Sequence, residues 1–153
     1  MKSQFFLFSV IIILLSGCKD SKKNIAKTDE TITHYSTSLI EYSKLEGYEL
    51  LPNLTPSKML TLKITSQEQF NKYFNSKQLT TIDFKDHFII ALIGTKSKTE
   101  TSFKLESIKD KMNTLELKYC INELDNPLKK AIYPYSIILI NKKYNKNIHY
   151  LMN

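Results

Sequence analysis

The chain has 153 residues, with 22 basic side chains, all lysine, against 15 acidic ones, for a formal charge of +7. That length holds one domain with a real core and is short for two. Without arginine the bidentate fork that reads guanine edges and phosphates is missing, so nucleic acid is not expected as a partner. With glycine only at positions 17, 47 and 94, neither is a phosphate-cradling glycine loop.

At the start, Lys2 places a positive charge ahead of Phe5 to Leu15, an apolar run broken only by Ser9. The run is shorter than the roughly 20 apolar residues of a spanning helix and matches the roughly 7 to 15 of a signal peptide. Ser16 and Gly17 offer the small side chains a peptidase cleft demands. Leu15-Ser16-Gly17-Cys18 resembles the lipobox of bacterial lipoproteins, in which the cysteine becomes the acylated first residue of the mature chain. The resemblance implies that residues 1–17 are a cleaved signal peptide and that Cys18 is the lipidation site. Several acyl chains, palmitate among them, at about 0.8 kcal/mol per buried methylene, would then hold the protein on a lipid bilayer without a transmembrane helix. The expected location is the cell envelope, at the outer membrane of a Gram-negative bacterium, on its periplasmic face or the cell surface. A plain secretory signal that ends near a cysteine is the competing reading. With Cys18 acylated, Cys120 is the remaining thiol, and no intramolecular disulfide can form.

Residues 18–34 are polar and lysine-rich and are expected to be a flexible tether, because they bury too little to offset the entropy of ordering. Residues 35–153 are expected to form a single β-rich domain. A short strand is expected within 37–42, loops around Gly47, Pro52 and Pro56, and a clear strand over 59–64. Ser66 followed by Gln69 has the form of a capping box, and Phe70, Tyr73 and Phe74 fall at helical spacing, which predicts a helix over 67–75. Phe88 to Ile93 is apolar without interruption and ends at Gly94, so it should be a central strand covered on both faces. A polar loop is expected over 95–101. Alternation then predicts a hairpin, with Leu115, Leu117, Tyr119 and Ile121 on one face and Glu116, Lys118 and Cys120 on the other. Residues 122–133 read as a polar connection, Pro134 as the opening of a second buried strand over 135–140, and Ile148 to Met152 as a strand paired with it. The fold class expected is mainly β (α+β): a β-sandwich or half-open barrel of about seven strands with one capping helix.

The order of elements over Leu62 to Tyr150, with "ITSQEQF", "IDF", "HFIIALIG" and "YPYSIILI", resembles the C-terminal domain of PrcB, a family of protease-complex subunits. This chain keeps the family's aromatic as Phe103 but lacks both glycines of its Thr-Gly-Gly-Tyr turn. The resemblance implies a non-catalytic lipoprotein that steadies or docks a partner enzyme. The contact surface expected for such a partner is Thr99, Thr101 and Phe103 with the corner Tyr133, Pro134 and Tyr135, since exposed tyrosines bury much area at low entropic cost.

For catalysis, Cys120 with His87 or His149 is the nearest approach to a nucleophile and base, but no glycine-rich elbow or helix start accompanies the thiol. It reads as a structural cysteine, and the chain as no enzyme. His34, His87 and His149 lack zinc-site spacing, and Asp83, Asp86 and Glu123 read as solvated loop acids; no metal or cofactor is expected. The two functional classes left are a protein-binding accessory module and an enzyme or small-ligand-binding envelope protein with a site inside the β domain. A filled core with an exposed aromatic patch would favour the first, and a deep pocket with converging titratable groups the second.

Overall fold

The computed structural model describes residues 32–37, 40–76 and 81–153, the first of these segments by its backbone alone. The signal peptide, Cys18 and nearly all of the tether lie outside the described residues. The molecule is mainly β; among the described residues two packed sheets that do not close into a barrel are accompanied by one short α-helix.

The strand expected at the centre is β6, His87–Ile93, an interior strand of its sheet that stands second from one edge. Its apolar run is covered on both faces, as the sequence requires. Phe88, Ile90 and Leu92 point into one core cluster and Ile89, Ala91 and Ile93 into another, all six being fully buried. Around it stands a five-stranded antiparallel sheet made with β1 (Ile32–Thr37), β2 (Ile40–Leu45), β4 (Leu60–Ile64) and β9 (Tyr135–Asn141), in the order β1-β2-β9-β6-β4. Strand β1 begins at Ile32, inside the stretch expected to be tether.

One face of this sheet packs on a second sheet of three strands, β7 (Ser97–Asp110), β8 (Thr114–Ile132) and β10 (Asn147–Met152), ordered β10-β8-β7. Leu115, Leu117 and Tyr119 of β8, with Phe103 and Ile108 of β7, fill the space between the sheets. The other face is covered by helix α1, Gln67–Asn71, and a short ribbon of β3 (Tyr48–Leu50) with β5 (Phe74–Ser76). The helix therefore lies against a sheet face rather than plugging an end of the sandwich. Phe70, stacked on Phe74 at 5.1 Å between centroids and edge-on to Tyr48 at 5.1 Å, anchors it.

Four local expectations are corrected. The helix stops at Asn71 instead of Asn75, and Phe74 is a strand residue paired with Leu50. So short a helix has little stability of its own. Ser66 caps it by accepting from the Gln69 amide at 3.2 Å, while Gln69 Oε1 accepts from the Thr65 amide at 2.8 Å. Second, β10 does not pair with β9 but runs parallel to β8, Leu117 facing Tyr150. Both edges of β9 are already taken by β2 and β6. The chain climbs along β8, descends along β9, turns through a short 3-10 helix at Lys142–Tyr144 and climbs again, so its last strand meets β8 in the same direction. Third, the polar stretch 95–101 is strand from Ser97 onward, and fourth, 122–132 is strand throughout. Among the described residues there are ten strands where about seven were expected; the additional ones are β1, which begins in the stretch expected to be tether, and the three-residue β3 and β5, too short for a period-two signal.

Candidate functional site

The β7–β8 hairpin has two unlike parts. From Phe103 and Ile108 across to Leu115, Leu117 and Tyr119 it is a wall of the sandwich. Beyond Phe103, facing Ile121, the same two strands continue as a pair in which no residue from 97 to 102 or from 121 to 132 is fully buried. Register slips between Ser97 and Thr99 and between Thr99 and Glu100, so a longer run of β8 opposes a shorter run of β7. Such bulges bend a ribbon and sharpen its twist.

The bend has a hinge. At the end of β6 the Gly94 amide donates to the Pro134 carbonyl at 2.7 Å. A Cβ at Gly94 would lie 2.8 Å from Pro134 Cγ and 3.4 Å from Phe103 Cζ. Glycine is required by this close approach of ring and backbone, not by a left-handed dihedral.

Of the expected contact residues, the structure places Thr99 and Thr101 on the ribbon, half-buried. Ser97 Oγ lies 3.0 Å from Thr99 Oγ1 and 2.8 Å from Thr101 Oγ1, and Thr99 Oγ1 donates to the Glu123 carboxylate across the strands. Asn126 Nδ2 donates to Glu100 at 3.1 Å on the same ribbon. Phe103 is 7% exposed and packs edge-on against Tyr119 at 6.1 Å, so it belongs to the core. Pro134 is buried at the hinge. Tyr135 is half-buried and its hydroxyl donates to the Tyr48 carbonyl at 2.6 Å, tying β9 to β3. Tyr133 is half-buried beside it. The expected surface is thus divided: the threonines lie on the ribbon, and Phe103, Pro134 and Tyr135 hold the fold together beneath it.

Sequence reading put Ile121 on the face of Leu115, Leu117 and Tyr119 and passed over Leu124 and Ile132; all three lie on the ribbon, 43%, 42% and 39% exposed. The signal for the last two was aliphatic side chains inside a polar connection too long for a turn.

The residues weighed for catalysis do not converge. Cys120 is half-buried opposite Lys104, and it makes no hydrogen bond to a histidine among the described residues. His149 faces Glu116 on β10, and His87 opens β6. The His87 Nδ1 is buried and has no hydrogen-bond partner among the described residues, beside a cleft of about 240 Å³ that Glu41, Ser43 and Asn141 also line. His34 lies in β1, where the side chains are outside the described residues. Asp83 accepts from the Lys85 amide at 2.9 Å in the turn before β6, whereas Glu123 lies in the ribbon that leaves the other end of that strand. Among the described residues no three His, Cys, Asp or Glu side chains gather where a metal ion would sit, and no helix is long and apolar enough to cross a membrane.

No family model matches the chain, and no curated protein or solved structure does.

Proposed function

We propose that the protein is a lipid-anchored envelope protein that acts without catalysis, as a protein-binding accessory module whose contact surface is the exposed ribbon of 97–102 and 121–132. The observation that carries this reading is paired β-structure the core does not need. β7 is an edge strand, and β8 leaves β10 behind after Tyr119. Past that point the two strands pair only with each other among the described residues, with aliphatic side chains open to solvent. Extended ribbons with free edges and exposed side chains recruit other chains by strand addition and pocket filling. Pro127 and the Lys129-Lys130 pair limit that edge, in the way proteins commonly blunt edges against indiscriminate pairing. The free segment is then Ile121 to Asn126.

The anchor rests on the lipobox at Leu15 to Cys18, and the kind of partner, a protease or another envelope complex, on the motifs shared with the PrcB C-terminal domain. Two experiments on cells test the reading. Membrane fractionation should release a Cys18→Ser protein without detergent while the unchanged protein stays with the membranes. Chemical crosslinking followed by pull-down should lose the partner when Leu124 and Ile132 are both changed to serine. A Cys18→Ser protein that stays membrane-bound, or a partner recovered equally with the double variant, would contradict the anchor or the surface respectively.

A further inference from the structure

On its sandwich face the five-stranded sheet aligns one row across four strands: Lys63, Ile90, Ile138, Lys44. The two isoleucines are buried, and a lysine stands at each end. Lys63 is accounted for. Its Nζ lies 5.4 Å from the centroid of the Phe88 ring and donates to the Lys146 carbonyl at 2.8 Å. Lys44 is half-buried on the same face and has no ion pair or side-chain hydrogen bond among the described residues. Lysines seldom face a core unless something pairs with them.

Beside Lys44 a cleft of about 490 Å³ opens between β2, β9 and β7. Tyr42, Ile138, Phe103 and Leu105 wall it, and Ser136 lines it. Ser136 is 5% exposed, and its hydroxyl, with no hydrogen-bond partner among the described residues, is not sealed from solvent. Two uncommitted polar groups, one of them a lysine on the core-facing side of the sheet, thus meet at one largely apolar cleft. Among the described residues no carboxylate lines the cleft, and a second cation, Lys104, stands at its rim. Glu46, just past the end of β2, is exposed and makes no ion pair with Lys44 among the described residues. Ligand sites have this make-up: mostly apolar walls with a few polar groups that fix orientation.

We propose that this cleft binds a single-chain anionic amphiphile of the fatty-acid class, its carboxylate on Lys44 Nζ and the Ser136 hydroxyl and its chain along Phe103, Leu105 and Ile138. The cleft adjoins the base of the ribbon, whose Ser102 and Asn122 also line it, but it does not depend on the anchor or on a protein partner.

The test uses the full chain carrying Cys18→Ser, so that no acyl group of its own competes, titrated with the fluorescent eighteen-carbon cis-parinaric acid. Binding should saturate at one equivalent, be displaced by oleate, and resist oleyl alcohol at the same concentration. Lys44→Met should weaken it about tenfold, the loss expected for one charge-assisted contact, while Lys44→Arg keeps it. Leu105→Trp, which fills the cleft, should abolish it. The proposal is overturned by an absence of saturable binding, by displacement with the alcohol as readily as with the acid, or by unchanged affinity in a folded Lys44→Met chain. Should circular dichroism show Lys44→Met unfolded, the other two variants decide: retention in Lys44→Arg with loss in Leu105→Trp upholds the site, and retention in Leu105→Trp sinks it.

Discussion

Strand β8 is one continuous strand with two lives. Over Leu115, Leu117 and Tyr119 it alternates strictly, the inward residues being 0%, 0% and 4% exposed, because the five-stranded sheet lies on that face. From Ile121 to Ile132 its backbone is still extended and paired, but none of its residues is fully buried and the alternation disappears from the sequence. The difference teaches that period-two patterning reports a covering layer rather than the strand itself. It also separates stability from availability: the first half holds the sandwich, and the second is free to touch something else.

That contrast can be broken most severely from its buried side. Leu117→Ala should destabilise the protein by about 2–5 kcal/mol, since Leu117 is fully buried between the sheets and its loss leaves a cavity. A denaturant titration that found less than about 1 kcal/mol would mean that the sheets do not pack as described. Next comes the hinge between the halves. Gly94→Ala forces a methyl against the Pro134 ring and should cost about 1–3 kcal/mol, as overpacking typically does. A neutral result in the same titration would show that the corner yields.

A smaller effect comes from the far side of β8, where Tyr150 pairs with Leu117 and packs against the core. Burial, with Tyr119 adding to it, pushes the Tyr150 phenol up from its ordinary value near 10 to about 12. Its folded-state value is raised, so its contribution is complete below pH 10 and is lost as pH climbs through 12. Tyr150→Phe should therefore flatten the fall in stability over that window, and identical alkaline unfolding curves would contradict this placement. The smallest effect on stability belongs to the exposed half. Changing Leu124 and Ile132 to serine should shift stability by no more than about 0.5 kcal/mol, as surface substitutions usually do. A larger loss in thermal or chemical unfolding would show that the ribbon is part of the scaffold.

The same contrast marks how much was legible beforehand. β6 was readable because six apolar residues in a row demand cover on both faces, and Leu115 to Tyr119 because alternate residues meet one layer. Phe103 was legible as an aromatic that begins a strand, but its alternation with Leu105 places it inward, where it meets Tyr119, rather than on a contact surface. Tyr135 follows a proline at a corner and looks exposed in sequence; the Tyr48 carbonyl that takes its hydroxyl comes from a strand 87 residues away. The partner of β10 was hidden for the same reason, since nothing local to Ile148 reveals that β9 has both edges filled. Lys44 is another such case: it belongs to an ordinary polar position until register sets it in line with Ile138 and Ile90.

The claim that the exposed half of β8 is where the protein meets its partner is tested most directly by placing a photo-crosslinking amino acid at single positions in living cells. At Leu124, on the ribbon, irradiation should trap a discrete partner; at Lys109, also exposed but on the outer face of the sandwich half of β7, it should trap none. Crosslinks from position 109 with none from position 124 would contradict the account.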